Sequence, residues 1–322
     1  MLRLEDDWVW DSWVADDGDR YHLYYLRAPR SLGDAGLRHT NATIGHATSQ
    51  DLITWEVQPE ALAPDPDGWD DLALWTGSVV RDDDGRWRMF YTAINTRRGH
   101  VLKDQRIGMV VSDDLGSWRR VLDRPVLDVD TRWYKSLAED PSASETWRDP
   151  LVLRDPGGDG WHMLVCARAV GAAPNDDGVL AHARSRDLVT WECGPPLSRP
   201  GAGFGQLEVA QVHRVDGQWL MVFTCHPQEM TAERRARSGD HCTWSVPGDS
   251  MLGPWDVDAA RPFLAEPDLF AAPLVQRRDG TWALVGFRNT EPKGVLAFDL
   301  LDPIPVVLED GYLQAHPSYE AG

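Results

Sequence analysis

The chain has 322 residues and carries 51 Asp and Glu against 32 Lys and Arg, a formal net charge of −19. That excess of acid argues against nucleic acid and anionic membrane surfaces as partners, since both would repel it. No apolar run approaches the ~20 residues of a membrane helix, and the opening "MLRLEDDWVW" lacks both halves of a signal peptide. Cys166, Cys193, Cys225 and Cys242 show no CxxC pair and no metal spacing. They are expected to be reduced thiols in a cytoplasmic protein.

The predicted elements form a repeat. The first is a hairpin in "WVWDSWVADDGDRYHLYYL" (8–26), followed by "IGHATSQDLITWE" (44–56). The second runs through "LWTGSVVRDDDGRWRMFYTAI" (74–94) and then "IGMVVSDDLGSWRR" (107–120). The third is "TWRDPLVLRDPGGDGWHMLVCARA" (146–169) with "LAHARSRDLVTWEC" (180–193). The fourth joins "FGQLEVAQVHRVDGQWLMVFTC" (204–225) to a weaker "TWSVPGDSMLGPWDV" (243–257), with "TAERRARSG" (231–239) between them as a short helix or charged loop. The fifth is "PDLFAAPLVQRRDGTWALVGFRN" (267–289), ending in "GVLAFDL" (294–300).

Each unit has an Asp-Gly or Gly-Asp turn, an aromatic residue soon after, and apolar residues at alternate places. The turn supplies the positive φ angles of a tight hairpin, and period-two alternation marks a strand with one buried face. The turn glycines are Gly18, Gly85, Gly160, Gly217 and Gly280, spaced 57 to 75 residues apart, room for about four strands per unit. The predicted fold is therefore all-β, a five-bladed β-propeller of four-stranded antiparallel blades, filling residues 1–322 as a single domain. A two-sheet sandwich would explain short strands but not a fivefold double motif.

The segment before each turn is expected to be the innermost strand of its blade. These segments hold Asp11, Asp149 and Glu208 in units one, three and four, Asp268 slightly earlier in unit five, and no matching acid in unit two. A propeller brings such strand ends together around one axis. Buried carboxyls are costly unless paired, protonated or working, so three at equivalent depth point to chemistry. Two carboxyls flanking one bond are what glycosidic cleavage requires. The 16 tryptophans suit both blade packing and a platform for the apolar face of a sugar. His46 reads as a hydrogen-bonded strand histidine, while His226 in "CHPQEM" lies where a loop would meet a ligand. No His, Cys and Asp set has zinc spacing and no loop reads as an EF-hand. The Gly-rich "GAGFG" precedes a strand rather than a helix, which disfavours phosphate binding. No cofactor is expected, and a structural calcium has no support in the sequence.

These residues resemble clan J glycoside hydrolases, families 32 and 68, the invertases, levanases and levansucrases. "VWDSW" is similar to the nucleophile motif of the levansucrase group. "GHATSQDLITWEVQPEALAPD" (45–65) resembles the invertase stretch "GHAVSxDLVHWExLPxALxPD". "WTGSVV" (75–80) is similar to "WSGSAV", "WRDP" (147–150) matches the RDP motif, and "PDLFAAP" (267–273) resembles "xDFYAPQ". The chain departs from those families at "LEVAQV", where they have "EC" or "ERP" after the acid.

The resemblance implies that Asp11 is the nucleophile, Asp149 the transition-state stabiliser and Glu208 the general acid/base. Trp10, Trp13, Trp75, Ser78 and Arg148 would then line the sugar site, joined by His226 and Phe270. It also implies release of a fructofuranosyl unit from sucrose or small fructo-oligosaccharides with retention, to water or to an acceptor sugar. Chemistry asks Glu208 to start protonated, helped by its apolar neighbours, and Asp11 to stay ionised. Two other readings stand beside this one. One is an inverting arabinofuranosidase or arabinanase similar to family 43, with Asp11 as base. The other is a non-catalytic carbohydrate-binding propeller. Which furanoside, which linkage and which oligomeric state are open at this level.

Overall fold

The computed structural model describes residues 1–96, 104–137, 145–289 and 298–320. Five four-stranded antiparallel sheets stand as blades around one axis, a five-bladed β-propeller. Blade one holds β1 (Asp7–Asp16), β2 (Tyr21–Pro29), β3 (Thr43–Ser49) and β4 (Glu56–Val57). Blade two holds β5 (Ala73–Arg81), β6 (Trp87–Ile94), β7 (Gln105–Ser112) and β8 (Arg119–Arg120). Blade three holds β9 (Trp147–Arg154), β10 (Trp161–Arg168), β11 (Gly178–Ser185) and β12 (Trp191–Gly194). Blade four holds β13 (Glu208–Val215), β14 (Gln218–Thr224), β15 (Thr243–Gly248) and β16 (Arg261–Pro262). In blade five the two inner strands are each broken, into β17 (Leu269–Phe270) and β18 (Leu274–Gln276), then β19 (Trp282–Leu284) and β20 (Phe287–Arg288). β21 (Ile304–Glu309) and β22 (Tyr312–Ala315) complete it.

The repeat's local chemistry explains the blades. All five turn glycines take left-handed φ angles, between 86° and 98°, which a side chain resists. The second motif closes the third strand of blades one to three. Ser49 Oγ accepts the N–H groups of Asp51 and Leu52, and Asp51 Oδ1 accepts those of Ile53 and Thr54. Ser112 with Asp114, and Ser185 with Asp187, repeat the same four bonds. The turn forces Leu52, Leu115 and Leu188 to φ angles of 62° to 64°, and each leucine is fully buried. Apolar burial offsets the strain of that conformation.

Blades adhere through interleaved apolar faces, such as Leu23 and Tyr24 of blade one with Met89 and Val110 of blade two. Polar ties reinforce the seams. Tyr24 Oη donates to Leu115 O at 2.6 Å, and Gln211 of blade four bonds both Ala272 O and Leu274 N of blade five. The stretch 231–239 resolves as a helix, α1 (Ala232–Ser238), capped by Thr231 Oγ1 at the Arg234 N–H and ended by Gly239.

The fifth blade differs from expectation. Its third strand is β21, not "GVLAFDL", of which 294–297 lies outside the described residues. Leu300 bridges Phe287 on one side and Leu2 on the other, so the chain's start seals the upper part of blade five. Lower down, Arg278 closes the ring by reaching Asp16, Gln50 O and the ring of Tyr21 in blade one. No described helix is long and apolar enough to cross a membrane.

Candidate active site

Each inner strand breaks its regular pairing at one level. The last residue paired before the break is Trp10 (to Leu26), Trp75 (to Thr92), Arg148 (to Cys166), Glu208 (to Thr224) and Phe270 (to Phe287). The following residues, Asp11, Asp149, Val209 and Ala271, have φ angles of 27°, 59°, 48° and 43°. Blade two makes the same shift at Thr76. Such bulges re-aim side chains and collect at functional sites. In a regular strand neighbouring side chains face opposite ways. Here Trp10 and Asp11, Trp75 and Thr76, and Arg148 and Asp149 line one cavity in consecutive pairs. The cavity is about 290 Å³, at the small end of ligand pockets.

Asp11, Asp149 and Glu208 all face this cavity. They do not sit at equivalent depth along their strands, which differs from the expectation drawn from the sequence. Asp11 and Asp149 occupy the bulge position, whereas Glu208 occupies the position before it, level with Trp10 and Arg148. The turns differ in length, so distance from the glycine is a poor ruler.

A continuous hydrogen-bond frame holds the acids. Thr76 Oγ1 donates to Asp11 Oδ2 at 2.9 Å. The Asp149 N–H donates to Thr92 Oγ1 at 2.9 Å, and that hydroxyl donates to Thr76 O at 3.1 Å. The Val209 N–H donates to Asp149 Oδ2 at 3.1 Å. Arg148 Nη2 donates to Glu208 Oε1 at 2.7 Å while its Nε stands 3.6 Å from Asp149 Oδ2.

Burial sets the protonation states. It pushes Glu208 up to about 8, helped by the charges of Glu229, Asp149 and Asp11 and opposed by Arg148. Glu208 is thus held mostly protonated at neutral pH despite its contact with Arg148. Burial, then the charge of Asp149, pushes Asp11 up to about 7, against the Thr76 hydrogen bond and the charges of Arg38 and Arg148. Asp11 is therefore only partly ionised near pH 7, not fully so. Asp149 is also raised by burial, with Arg148 and the Val209 N–H pulling the other way.

Of the residues that the sequence suggested for a sugar site, Trp10, Trp75, Arg148, His226 and Phe270 line the cavity. Trp13 and Ser78 do not. They line a larger cavity of about 840 Å³, toward the other end of the axis, which meets the first one at Thr76 and Asp149. Trp13 stacks on Tyr24 with centroids 5.9 Å apart, and Ser78 Oγ accepts the Val152 N–H at 3.0 Å, joining blades two and three. The physical reason is the bulge: beyond it, the strands turn these side chains away from the acids. Arg38, His39, Thr76, Gln206 and Glu229 are among the cavity residues that the sequence reading did not single out. Thr76 was findable, because it fills the place in unit two where units one and three carry an acid. Among the described residues no group of three His, Cys, Asp or Glu is arranged to hold a metal.

Residues 13–250 match the sequence model of the glycosyl hydrolases family 32 N-terminal domain. The chain belongs to glycosyl hydrolase family 32. It is 28% identical over 276 residues to sucrose-6-phosphate hydrolase of Escherichia coli, covering 84% of this chain and 52% of that protein. It is 30% identical over 199 residues to beta-fructofuranosidase 1 of Zea mays, covering 61% of this chain and 27% of that protein. The chain thus spans about half or less of these family 32 relatives. Among solved structures, inulosucrase from Halalkalicoccus jeotgali bound to kestose superposes with a TM-score of 0.78 at 21% identity, covering 98% of this chain and 90% of that one. A Bombyx mori GH32 beta-fructofuranosidase gives 0.73 at 18% identity, covering 98% and 64%. At those identities the likeness speaks for the propeller alone.

Proposed function

We propose that this family 32 chain releases a fructofuranosyl unit from sucrose or small fructo-oligosaccharides by a retaining mechanism. The observation that carries the reading is the meeting of three carboxyls, Asp149 buried and Asp11 and Glu208 half-buried, from three separate blades, in one small cavity walled by Trp10 and Trp75. Asp11 Oδ attacks the anomeric carbon while Glu208 gives its proton to the glycosidic oxygen, and the bond to the leaving group breaks. Water, or an acceptor sugar, then attacks the fructosyl-enzyme; Glu208 takes its proton and Asp11 leaves as carboxylate. Asp149 favours the positive charge that develops on the ring. Glu208 does the proton work and Asp11 supplies the nucleophile, so the reaction calls for no cofactor. All four cysteines are free, which suits a reducing compartment and small imported sugars.

The test is a panel of sucrose, kestose, inulin, levan and aryl arabinofuranosides, with the first anomer released followed by NMR. Retained fructofuranose from sucrose or kestose is expected. Asp11→Asn, Asp149→Asn and Glu208→Gln, each still folded, should each lose at least about a thousandfold in kcat. Near-native turnover by any of the three removes that residue's role. An inverted product from an arabinofuranoside would favour the family 43-like mechanism, and binding without turnover would favour a sugar-binding propeller.

A further inference from the structure

The link between β2 and β3 brings two residues to the cavity that no blade repeat supplies. Arg38 and His39 lie in a short 3-10 turn, Ala35–Thr40. The His39 ring packs edge-on to Trp10 and Trp75, with centroids 6.5 and 6.0 Å away, and its carbonyl accepts the Trp75 indole N–H at 2.9 Å. These contacts fix the turn against the two tryptophans. Burial, with the charges of Arg38 and Arg148, lowers His39 to about 4, so it is neutral at pH 7.

Arg38 is held differently. Its guanidinium lies 4.5 Å over the Phe298 ring and 5.6 Å from the Trp10 centroid. Nη1 donates to Ala35 O at 2.9 Å, but Nε is buried with no partner. Among the described residues Arg38 forms no ion pair, whereas Arg148 is taken up by Glu208 and Asp149. A desolvated guanidinium with spare donors is costly unless something fills it. The rest of the cavity decides what fills it. Four carboxyls, Asp11, Asp149, Glu208 and Glu229, face two guanidiniums, an acid-rich lining in which burial already keeps a proton on Glu208 and in part on Asp11. A phosphate would add further negative charge to that surplus. Neutral hydroxyl oxygens satisfy the donors without it.

We infer that Arg38 is a sugar-binding residue, donating to hydroxyls of an unphosphorylated fructoside whose fructosyl unit is held over Asp11. The inference rests on the furanoside reading above. Arg38 has a second effect through charge. Asp11 is faced by Arg38 from this turn, Arg148 and Asp149 from β9, Glu208 from β13 and the Thr76 hydroxyl from β5; Arg38 favours its ionised form.

The experiment compares wild type with Arg38→Gln and Arg38→Lys on sucrose and sucrose 6-phosphate, with pH profiles and calorimetric binding of fructose. Arg38→Gln is expected to raise KM for sucrose about tenfold or more, with a smaller fall in kcat, and to move the acid limb of kcat/KM to higher pH. Arg38→Lys should restore the limb, since the charge is kept, but only part of KM, since the planar fork is lost. Wild type should favour sucrose over its 6-phosphate. An unchanged KM and acid limb in Arg38→Gln overturns the inference. So does a wild-type preference for the 6-phosphate that Arg38→Gln abolishes. If wild type cleaves no fructoside, the proposed function fails separately. Fructose binding then judges Arg38: weaker binding by Arg38→Gln supports the inference, and equal or absent binding to both proteins overturns it.

Discussion

Replacing Thr76 by valine tests the electrostatics of the site with little change of shape. The substitution deletes the hydroxyl that donates to Asp11 Oδ2 at 2.9 Å. A hydrogen bond to a charged group contributes about 1.5–3 kcal/mol, and one pKa unit corresponds to about 1.4 kcal/mol. Removing it should raise Asp11 by about one to two units from its value of about 7. The sign follows from the charge: the bond favours the carboxylate, so its loss favours the acid. In the proposed mechanism the active form has Asp11 ionised and Glu208 protonated, and burial pushes Glu208 up to about 8. Wild type should show a narrow bell in kcat/KM, with roughly half of the enzyme active at pH 7. With Asp11 shifted by about 1.5 units, the active fraction at pH 7 falls about fifteenfold, but from optimum to optimum only about fourfold. The assay is the initial rate of sucrose hydrolysis from pH 4.5 to 9.5, with folding checked by circular dichroism. A loss of equal size at every pH, or an acid limb that does not move, would refute this account of Asp11.

Three further substitutions separate stability from binding. Asp11→Asn removes a buried acid whose folded pKa is raised from 3.8 to about 7. Such a group contributes stability below pH 3.8 that is lost as pH rises through 7, up to about 4 kcal/mol by pH 8. The variant should therefore melt on the order of 5 °C higher at pH 8 and nearly unchanged at pH 4; equal melting curves at pH 8 would contradict the burial argument. Ser78→Ala leaves the buried Val152 N–H without its acceptor and should cost about 1–3 kcal/mol of stability, with KM for sucrose unchanged. Trp13→Phe should behave likewise. A raised KM in either would return that residue to the sugar site.

The propeller was legible because its signals are local. An Asp-Gly turn and a Ser-x-Asp-Leu turn each specify backbone geometry within a few residues, and both recur at blade spacing. The fifth blade was harder, since Leu300 completes its pairing through Leu2, a contact across the whole chain that no local pattern announces. The acids were legible as a set because apolar inner strands rarely carry carboxyls. Their relative depth was not, because it depends on where each strand slips its register. Arg38 lies outside the repeat, in the link between β2 and β3. Its position depends on Trp10 and Phe298, which come from opposite ends of the chain. Thr76 shows the limit of searching for acids alone: its role is to hold one.

The one-residue offset of Glu208 has a mechanical consequence. Val209, beside it, is a β-branched residue at φ 48°, a conformation that Asp11 and Asp149 tolerate better in their own strands. Its strain has a use on both sides. The turn of the backbone at Val209 sends its N–H to Asp149 Oδ2 and its side chain toward the larger cavity. Glu208 is thereby left in the smaller cavity, where Arg148 meets it at 2.7 Å. One strained residue thus links the position of Asp149 to the aim of Glu208. The two carboxyls on neighbouring strands β9 and β13 are set by the same backbone, with Arg148 bridging between them. That coupling gives a physical reason for the distortion of β13: a regular strand would have to turn either the acid away from the cavity or the N–H away from Asp149.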